Sequence, residues 1–251
     1  MILTSIVNKF QVIILAAGQG TRLLPLTKNM PKTMIKVNDK PIIDYILSSF
    51  DQDKIEEIII ATGHYANLVE NHLGRSYLNI PIKYVRNDLH KETNSIYSLW
   101  LLKNFIKNDT IIINADTVIH KDIFTLIIES IYDTGLAIDD TLAPPLPDEA
   151  MKASIKDNII YDVSKTILPE KTNGDAIGVY KFSQSNIKIL FNEIDYLIEN
   201  SVKDKLFTYA VQKILKKINI YSISTKGKPW IEIDDLNDLN NFKKMVENQE
   251  L

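Results

Sequence analysis

The sequence predicts an α/β fold whose mixed, mainly parallel sheet is flanked by helices. Short β-branched apolar runs recur along the first half of the chain, and the segments between them carry apolar residues at three- and four-residue spacing. Strands that alternate with such helices are typical of βαβ units and a mainly parallel sheet. The length of 251 residues fits one domain over residues 1–251.

The individual elements follow from the same patterns. Three prolines at 142–147 interrupt the alternation, and the shorter strands after them predict a small antiparallel lobe over about 140–185, folded over the sheet edge. The predicted strands are 12–15, 57–61, 82–85, 110–114, 152–155, 159–161 and 176–182. The predicted helices are 42–50, 65–73, 95–105, 123–132, 187–199, 206–217 and about 236–246.

Composition excludes several classes of protein. A net charge of −3 with no basic run argues against a nucleic-acid or membrane surface. The chain has no cysteine, which excludes disulfides, zinc–thiolate sites and thiol nucleophiles. No leader-like segment and no apolar run of transmembrane length is present, so a cytoplasmic location is expected.

The most informative segment begins at the first predicted strand, which ends in small residues and two glycines, Gly18 and Gly20. Glycine allows a sharp turn and lets backbone N–H groups approach a ligand closely. Arg22 follows directly, and Lys32 is presented by Pro31, whose fixed φ stiffens the loop. Arginine and lysine suit anionic ligands. The segment therefore predicts a phosphate cradle for a nucleoside triphosphate, with binding residues Leu15, Ala16, Ala17, Gly18, Gly20 and Thr21.

Two other glycine motifs do not fit this segment. A P-loop requires Gly-x-x-x-x-Gly-Lys followed by Ser or Thr, and the chain lacks that string. A dinucleotide-binding fingerprint requires a third glycine where Leu23 stands. The longer string from the glycines through Arg22 to Pro31-Lys32 instead resembles the signature of the nucleotidyltransferase superfamily.

Within that superfamily the chain resembles the short bacterial cytidylyltransferases of the phosphocholine and 2-aminoethylphosphonate type. The resemblance lies in residues 18–32, 92–99, 174–182 and 230–235. It implies a Rossmann-like, GT-A-like nucleotidyltransferase fold in which the 140–185 lobe takes the acceptor. It also implies Mg²⁺-dependent transfer of CMP from CTP to a small phosphorylated alcohol or phosphonate. Pyrophosphate is released, and the product serves to decorate cell-surface polymers.

Carboxylates at two places predict the metal site. Asp116 follows the strand at 110–114, where a charge is costly unless it meets a cation or water. In residues 230–235 apolar and acidic residues alternate, which places Glu232 and Asp234 on one face of a strand. The resemblance makes Asp116, Asp234 and Glu232 the Mg²⁺ ligands, while Asp235 is expected to cap the final helix.

The resemblance also assigns the cations. Arg22 and Lys32 are expected to act on the triphosphate and the leaving pyrophosphate, and Lys165 on the acceptor phosphate. Asn87, Thr93 and Asn94 fall where the family reads base and ribose, although Asn94 also suits a helix N-cap.

The predicted acceptor contacts are Lys165, Asp175, Tyr180 and Trp230. The aromatic residues among them are equally credible as core. Asp175 stands where relatives usually have glutamate, and Phe207–Ala210 lacks an acidic residue that relatives commonly show, so a choline-like acceptor is uncertain. Asp139, Asp140, Asp148 and Glu149 could favour a cationic amine, or could form a solvated acidic loop.

Three alternatives remain. A sugar-1-phosphate nucleotidylyltransferase using UTP, TTP or CTP shares the glycine-loop signature. A GT-A-like glycosyltransferase would require Asp-x-Asp, whereas Asp116 is followed by Thr117-Val118. A nucleotide-sensing module would not need Lys165 or the paired acids. The expected partners are CTP and a small phosphorylated acceptor, and a homodimer is allowed.

Overall fold

The computed structural model describes residues 9–251 of the chain. Most apolar periodic segments form the elements that their spacing predicts. The helices are α1 (Ile42–Ser48), α2 (Ala66–Leu73), α3 (Ser95–Trp100), α4 (Lys121–Ile128), α5 (Gln184–Glu199), α6 (Thr208–Ile214) and α7 (Leu236–Glu247). The strands are β1 (Phe10–Ala16), β2 (Lys36–Val37), β3 (Lys40–Pro41), β4 (Ile55–Thr62), β5 (Ser76–Tyr77), β6 (Ile80–Arg86), β7 (Thr110–Asn114), β8 (Thr117–Ile119), β9 (Thr134–Asp139), β10 (Lys152–Lys156), β11 (Ile159–Ser164), β12 (Gly174–Phe182), β13 (Ile220–Ser224) and β14 (Trp230–Glu232).

The central sheet has the strand order β10-β11-β13-β9-β12-β7-β1-β4-β6-β5. Three neighbouring pairs are parallel, as expected for βαβ units: β7 with β1, β1 with β4, and β4 with β6. Strand β12 runs antiparallel to both β7 and β9, and β9 is parallel to β13. The predicted α/β class with a mixed sheet is confirmed, and the strands from the first half of the chain, β7, β1, β4 and β6, form its parallel part.

The short strands after the prolines differ from the prediction in one respect. They were expected to fold over the sheet edge, but β10 and β11 pair antiparallel and extend the same sheet. Strand β12 lies inside the sheet, and all nine of its residues are buried. The acceptor lobe is therefore a continuation of the sheet, because β12 finds pairing partners on both sides.

Two hydrophobic layers cover the sheet. Alternate residues of the strands point to opposite faces, so Val12 and Ile14 belong to one layer and Ile13 to the other. Helices α1, α4 and α7 contribute buried residues to the first layer, and α3, α5 and α6 to the second. Among residues 9–251, no helix has both the length and the apolar character needed to cross a bilayer.

Strands β9 and β13 were not predicted. β9 has the sequence TGLAID, and all six of its residues are buried. A Cβ on Gly135 would lie 2.5 Å from Ile223 Cδ1, so the glycine lets β13 pack closely against β9. Helix α4 also ends at Ile128, earlier than the predicted residue 132, which frees the chain to enter β9.

Candidate active site

The glycine loop leaves β1 at the carboxyl end of the parallel strands, where ligands of such sheets bind. Gly20 has φ of +62°, a conformation that favours glycine. A Cβ at this position would lie 3.1 Å from Thr27 Cγ2 and 3.2 Å from Lys32 Cβ. The Thr27 hydroxyl donates to the Gly20 carbonyl at 2.8 Å. The loop is therefore held against the segment that carries Lys32.

Three carboxylates converge beside this loop. One oxygen from each of Asp116, Glu232 and Asp234 lies within 4.8 Å of the others. Strand β14 pairs antiparallel with β8, which aligns Glu232 with Thr117, and Ile233 N donates to Asp116 O at 2.9 Å. Strand β14 ends at Glu232, so Asp234 lies beyond the strand and not on one strand face with Glu232 as predicted. The two acids converge nevertheless.

Lys32 and Arg22 neutralise this acidic cluster. The Lys32 ammonium lies 3.0 Å from Asp116 Oδ2 and 3.2 Å from Asp234 Oδ1, and donates to Ile233 O at 2.8 Å. Arg22 Nη2 lies 2.6 Å from Asp234 Oδ2. Two cations from the glycine-loop segment thus contact carboxylates that follow β7 and β14, and the contacts join distant parts of the chain.

The electrostatics follow from burial and these contacts. Burial, together with Asp116 and Asp234, raises the pKa of Glu232 to about 8. Burial opposes ionisation of Asp234, but the charges of Lys32 and Arg22 outweigh it and lower the pKa of that carboxyl. Burial also opposes the charged form of Lys32, yet the adjacent carboxylates raise its pKa. Oppositely charged neighbours thus fix the charged forms of Lys32 and Asp234.

Two adjoining cavities meet at this cluster. We call one the loop pocket; it is lined by Leu15, Ala16, Gly18, Gly20, Thr21, Arg22, Pro31, Lys32, Thr33, Ala115, Asp116 and Asp234. We call the other the main cleft; the residues named in the sequence analysis that line it are Leu15, Ala17, Gly18, Arg22, Asn87, Thr93, Asn94, Asp116, Glu149, Lys165, Tyr180, Glu232 and Asp234. Both cavities therefore contain Arg22, Asp116 and Asp234.

The base-side residues form a hydrogen-bonded wall of the main cleft. Asn87 is buried, and its amide donates to Thr93 Oγ1 and Ser98 Oγ, each at 3.0 Å. Asn94 is the N-cap of α3 and accepts from Ser95 N at 2.8 Å, as its alternative role predicted. The amide of Asn87 therefore makes hydrogen bonds within the protein that fix this side of the main cleft.

Two predicted acceptor contacts do not line the main cleft. Ala176, Gly178 and Tyr180 line it, and alternation along β12 turns Asp175 to the opposite face. Trp230 lies two residues before Glu232, about 7 Å along the strand, and its indole N–H donates to Asp139 at 2.7 Å. These two residues therefore do not line the main cleft, and their contact with an acceptor stays a prediction.

The two remaining predicted contacts, Lys165 and Tyr180, do line the main cleft. Lys165 follows β11 and is exposed, whereas Tyr180 is buried. The Tyr180 hydroxyl is 3.0 Å from Thr208 Oγ1, and its ring packs edge-on against Phe207 at a centroid distance of 4.7 Å. Of the four acidic residues considered for a cationic amine, Glu149 lines the main cleft, whereas Asp139 is buried and bonded to Thr141 and Trp230.

Several lining residues were missed by sequence reasoning. Gly178 has φ of +78°, and a Cβ there would lie 2.6 Å from Asn114 Nδ2, so this glycine opens the cleft between β12 and β7. A glycine inside an apolar strand is the local signal that could have identified it. The missed residues are His90, Ser95, Ser98, Asn114, Met151, Ala176, Gly178, Leu206, Phe207 and Thr208.

Asp175 makes the free energy of unfolding depend on pH, and stability measurements can detect this. Burial and the nearby Asp139 raise its pKa from 3.8 to about 6, although Lys152 and Lys165 partly oppose the rise. The folded state therefore holds this proton more tightly than the unfolded state, and this contribution to stability falls as pH rises from about 4 to about 6. Above that range the ionised, buried group costs up to about 3 kcal/mol.

We therefore expect Asp175→Asn to stabilise the protein at alkaline pH and to have little effect near pH 4. Each kcal/mol should raise the midpoint of thermal unfolding by about 2–4 °C in a protein of this size. Thermal melts of both proteins at about pH 4 and about pH 8 measure the difference. A lower midpoint for the variant at the higher pH would show that the carboxylate stabilises the fold.

Comparison with known proteins defines the class. A family model described as nucleotidyl transferase matches residues 11–149, which include the glycine loop, Lys32 and Asp116. The chain belongs to the nucleotidyl transferase family, and its fold is the Rossmann-like nucleotidyltransferase fold that the resemblance implied.

Individual relatives are also similar over nearly the whole chain. CTP:phosphoglutamine cytidylyltransferase of Campylobacter jejuni subsp. jejuni is 28% identical over 90% of this chain and 96% of its own length. Choline-phosphate cytidylyltransferase of Streptococcus pneumoniae is 28% identical over 95% of this chain and 99% of its own. The solved structure of CTP:phosphocholine cytidylyltransferase from Streptococcus pneumoniae aligns with a TM-score of 0.76 at 25% identity, covering 95% of this chain and 99% of that one.

The acidic cluster suits a divalent cation. Members of this family generally use a divalent metal, and the three converging carboxylates supply the hard oxygen ligands that such ions prefer. The cluster also borders both cavities, so a metal there would lie between whatever the two cavities bind.

Proposed function

We propose that this protein transfers CMP from CTP to the phosphate or phosphonate of a small acceptor and releases pyrophosphate. The observation that carries the proposal is the position of Asp116 and Asp234, which line both the loop pocket and the main cleft. A triphosphate held by the glycine loop and an acceptor beside Lys165 would meet at these carboxylates.

The chemistry requires positioning and charge neutralisation more than covalent help from the protein. An acceptor oxygen attacks the α-phosphorus of the nucleotide, and the bond from that phosphorus to the β-bridging oxygen breaks, so the electron pair leaves with pyrophosphate. The backbone N–H groups at Gly18 and Gly20 bind the phosphates. Arg22 and Lys32 neutralise the triphosphate and the leaving group, while Lys165 orients the acceptor phosphate.

We propose Mg²⁺ as the metal, held by Asp116, Asp234 and Glu232. When bound, it would supply positive charge to the reacting phosphates and help to order them. Mg²⁺ keeps several water ligands and usually takes only one or two protein carboxylates with substrate oxygens. Asp116 and Asp234 are therefore the primary ligands in this proposal, and Glu232, with its raised pKa, is the weaker one.

The choice of CTP rests on the three similar proteins described above, all of which are named as cytidylyltransferases. Two of those names specify phosphocholine and one specifies phosphoglutamine, which are small phosphorylated compounds that contain nitrogen. Glu149 lines the main cleft and is exposed. A carboxylate there suits a head group that carries a positive charge.

Pyrophosphate release from CTP, UTP, GTP, TTP and ATP with a panel of phosphomonoesters and phosphonates tests this assignment. We expect CTP to be used, with an acceptor that is a small nitrogen-bearing phosphate or phosphonate such as phosphocholine, phosphoglutamine or 2-aminoethylphosphonate. Efficient turnover of glucose-1-phosphate with UTP or TTP, and none with CTP and the small acceptors, would place the protein among the sugar-nucleotide enzymes. Sedimentation of the same preparation would test the predicted homodimer.

A further inference from the structure

A buried lysine outside the proposed machinery lies next to the acceptor side of the main cleft. Lys152, in β10, is 5% exposed. Its ammonium group donates to the backbone carbonyls of Pro147 at 2.9 Å, Asp148 at 3.2 Å, Ala150 at 3.5 Å and Lys165 at 3.0 Å. A buried ammonium is costly unless its donors are satisfied, and these carbonyls satisfy them.

The four carbonyls belong to two separate loops. Residues 147–150 precede β10 and present Glu149 to the main cleft, whereas Lys165 begins the turn after β11. Glu149 and Lys165 are exposed, so packing does little to fix either side chain. The backbones of both loops therefore accept hydrogen bonds from one buried group, the Lys152 ammonium.

We propose that Lys152 is a positioning residue for the acceptor. Its ammonium group sets the separation of the two loops, so that Lys165 faces the acceptor phosphate while Glu149 faces the head group. The inference rests on the proposed function, because it assumes that the acceptor binds between these loops. A displacement of about 1 Å in such a site can reduce turnover by about 100-fold.

Lys152 also places a positive charge beside buried acids, and the test must separate this electrostatic role from the positioning role. Lys152 is paired with Asp175 across β10 and β12, and Asp175 is paired with Asp139 across β12 and β9. Replacing Lys152 alone would leave these buried acids without its charge, and the variant could fail for that reason. The double variant Lys152→Met/Asp175→Asn removes one charge of each sign, so it is compared with Asp175→Asn alone.

Lys181 provides a matched control. It lies in β12, is 7% exposed, and its ammonium group donates to Ser130 O at 2.8 Å and to Ile128 O at 3.5 Å. It is therefore another buried lysine that binds backbone carbonyls, but those carbonyls lie at the end of α4 and just after it, and neither residue lines the main cleft. Lys181→Met should cost stability without a selective effect on the acceptor.

Steady-state kinetics give the first measurement. With CTP and phosphocholine, or the acceptor that the wild type uses best, the double variant should raise the acceptor KM by about 10- to 100-fold relative to Asp175→Asn. The KM for CTP should change little, because the loop pocket is untouched. An unchanged acceptor KM, an equal rise in both KM values, or the same pattern in Lys181→Met would overturn the proposal.

Hydrogen–deuterium exchange gives a second measurement that needs no turnover. The backbone amides of residues 148–151 and 166–167 should exchange faster in the double variant than in Asp175→Asn, and should be unaffected in Lys181→Met. If no acceptor supports pyrophosphate release in the wild type, the proposed function fails, while exchange still reports whether Lys152 fixes the two loops. Unchanged exchange in both segments would contradict the inference.

Discussion

Asp116→Asn is expected to abolish nucleotidyl transfer while leaving the fold intact. The substitution removes the negative charge and one carboxylate oxygen from a cluster whose oxygens lie within 4.8 Å of one another. Lys32 would keep its contacts with Asp234 at 3.2 Å and with Ile233 O at 2.8 Å, so the loop should stay in place. We expect a loss in kcat of at least about 10³-fold, measured as pyrophosphate release at saturating Mg²⁺.

Asp235→Asn is the matched control for this prediction. Asp235 lies in the same acidic segment, but its carboxylate caps α7 by accepting from Asn237 N and Asp238 N. Asparagine caps helices about as well as aspartate, so this variant should retain activity. A chelator should inactivate the wild type, and added Mg²⁺ should restore it. Full activity of Asp116→Asn, or turnover in the presence of the chelator, would remove the metal assignment.

Lys32→Ala and Lys165→Ala are each expected to lower the rate by about 10²–10³-fold, by analogy with the loss of one oxyanion donor. The two variants should differ in which substrate they affect. Lys32 lines the loop pocket, so its loss should raise the KM for CTP more than that for the acceptor. Lys165 lines the main cleft, where we propose that the acceptor binds, so its loss should have the opposite bias.

Separate titrations of CTP and acceptor measure this difference. Lys217→Ala serves as a control, because Lys217 pairs with Glu193 at 2.6 Å and neither residue lines either cavity. Lys32→Ala should also lower the midpoint of thermal unfolding, since it leaves Asp116 and Asp234 close together without their shared cation. If Lys165→Ala alters only nucleotide binding, that lysine has been assigned to the wrong substrate.

Local sequence signals were sufficient to predict a structural feature where that feature depends on residues adjacent in the sequence. The strand at 110–114 was predicted with the bounds that the structure has, and Asp116 follows it. Asp235 caps α7 as expected, and Asp238 completes a capping box. Such features are encoded within a few residues: an apolar run, a turn and a capping side chain.

The sequence could not predict features that depend on distant partners. Gly135 and Ala137 are weak strand formers, and β9 exists because β12 and β13 pair with it on either side. Trp230 was predicted to contact the acceptor because its ring could help to bind a cationic head group, but its indole N–H is directed to Asp139. The pairing of Lys32 with two carboxylates likewise joins residues that lie 84 and 202 positions apart in the chain.

The position of Lys32 within the acidic cluster has a consequence for protein lacking metal. Three crowded carboxyl groups would ordinarily repel one another and weaken the fold unless a cation lay between them. Lys32 and Arg22 balance Asp116 and Asp234, and the raised pKa of about 8 keeps Glu232 protonated near neutrality. Folding is thereby separated from metal supply: under the proposed metal requirement, a cell depleted of divalent ions would accumulate intact but inactive protein that regains activity once the ions return.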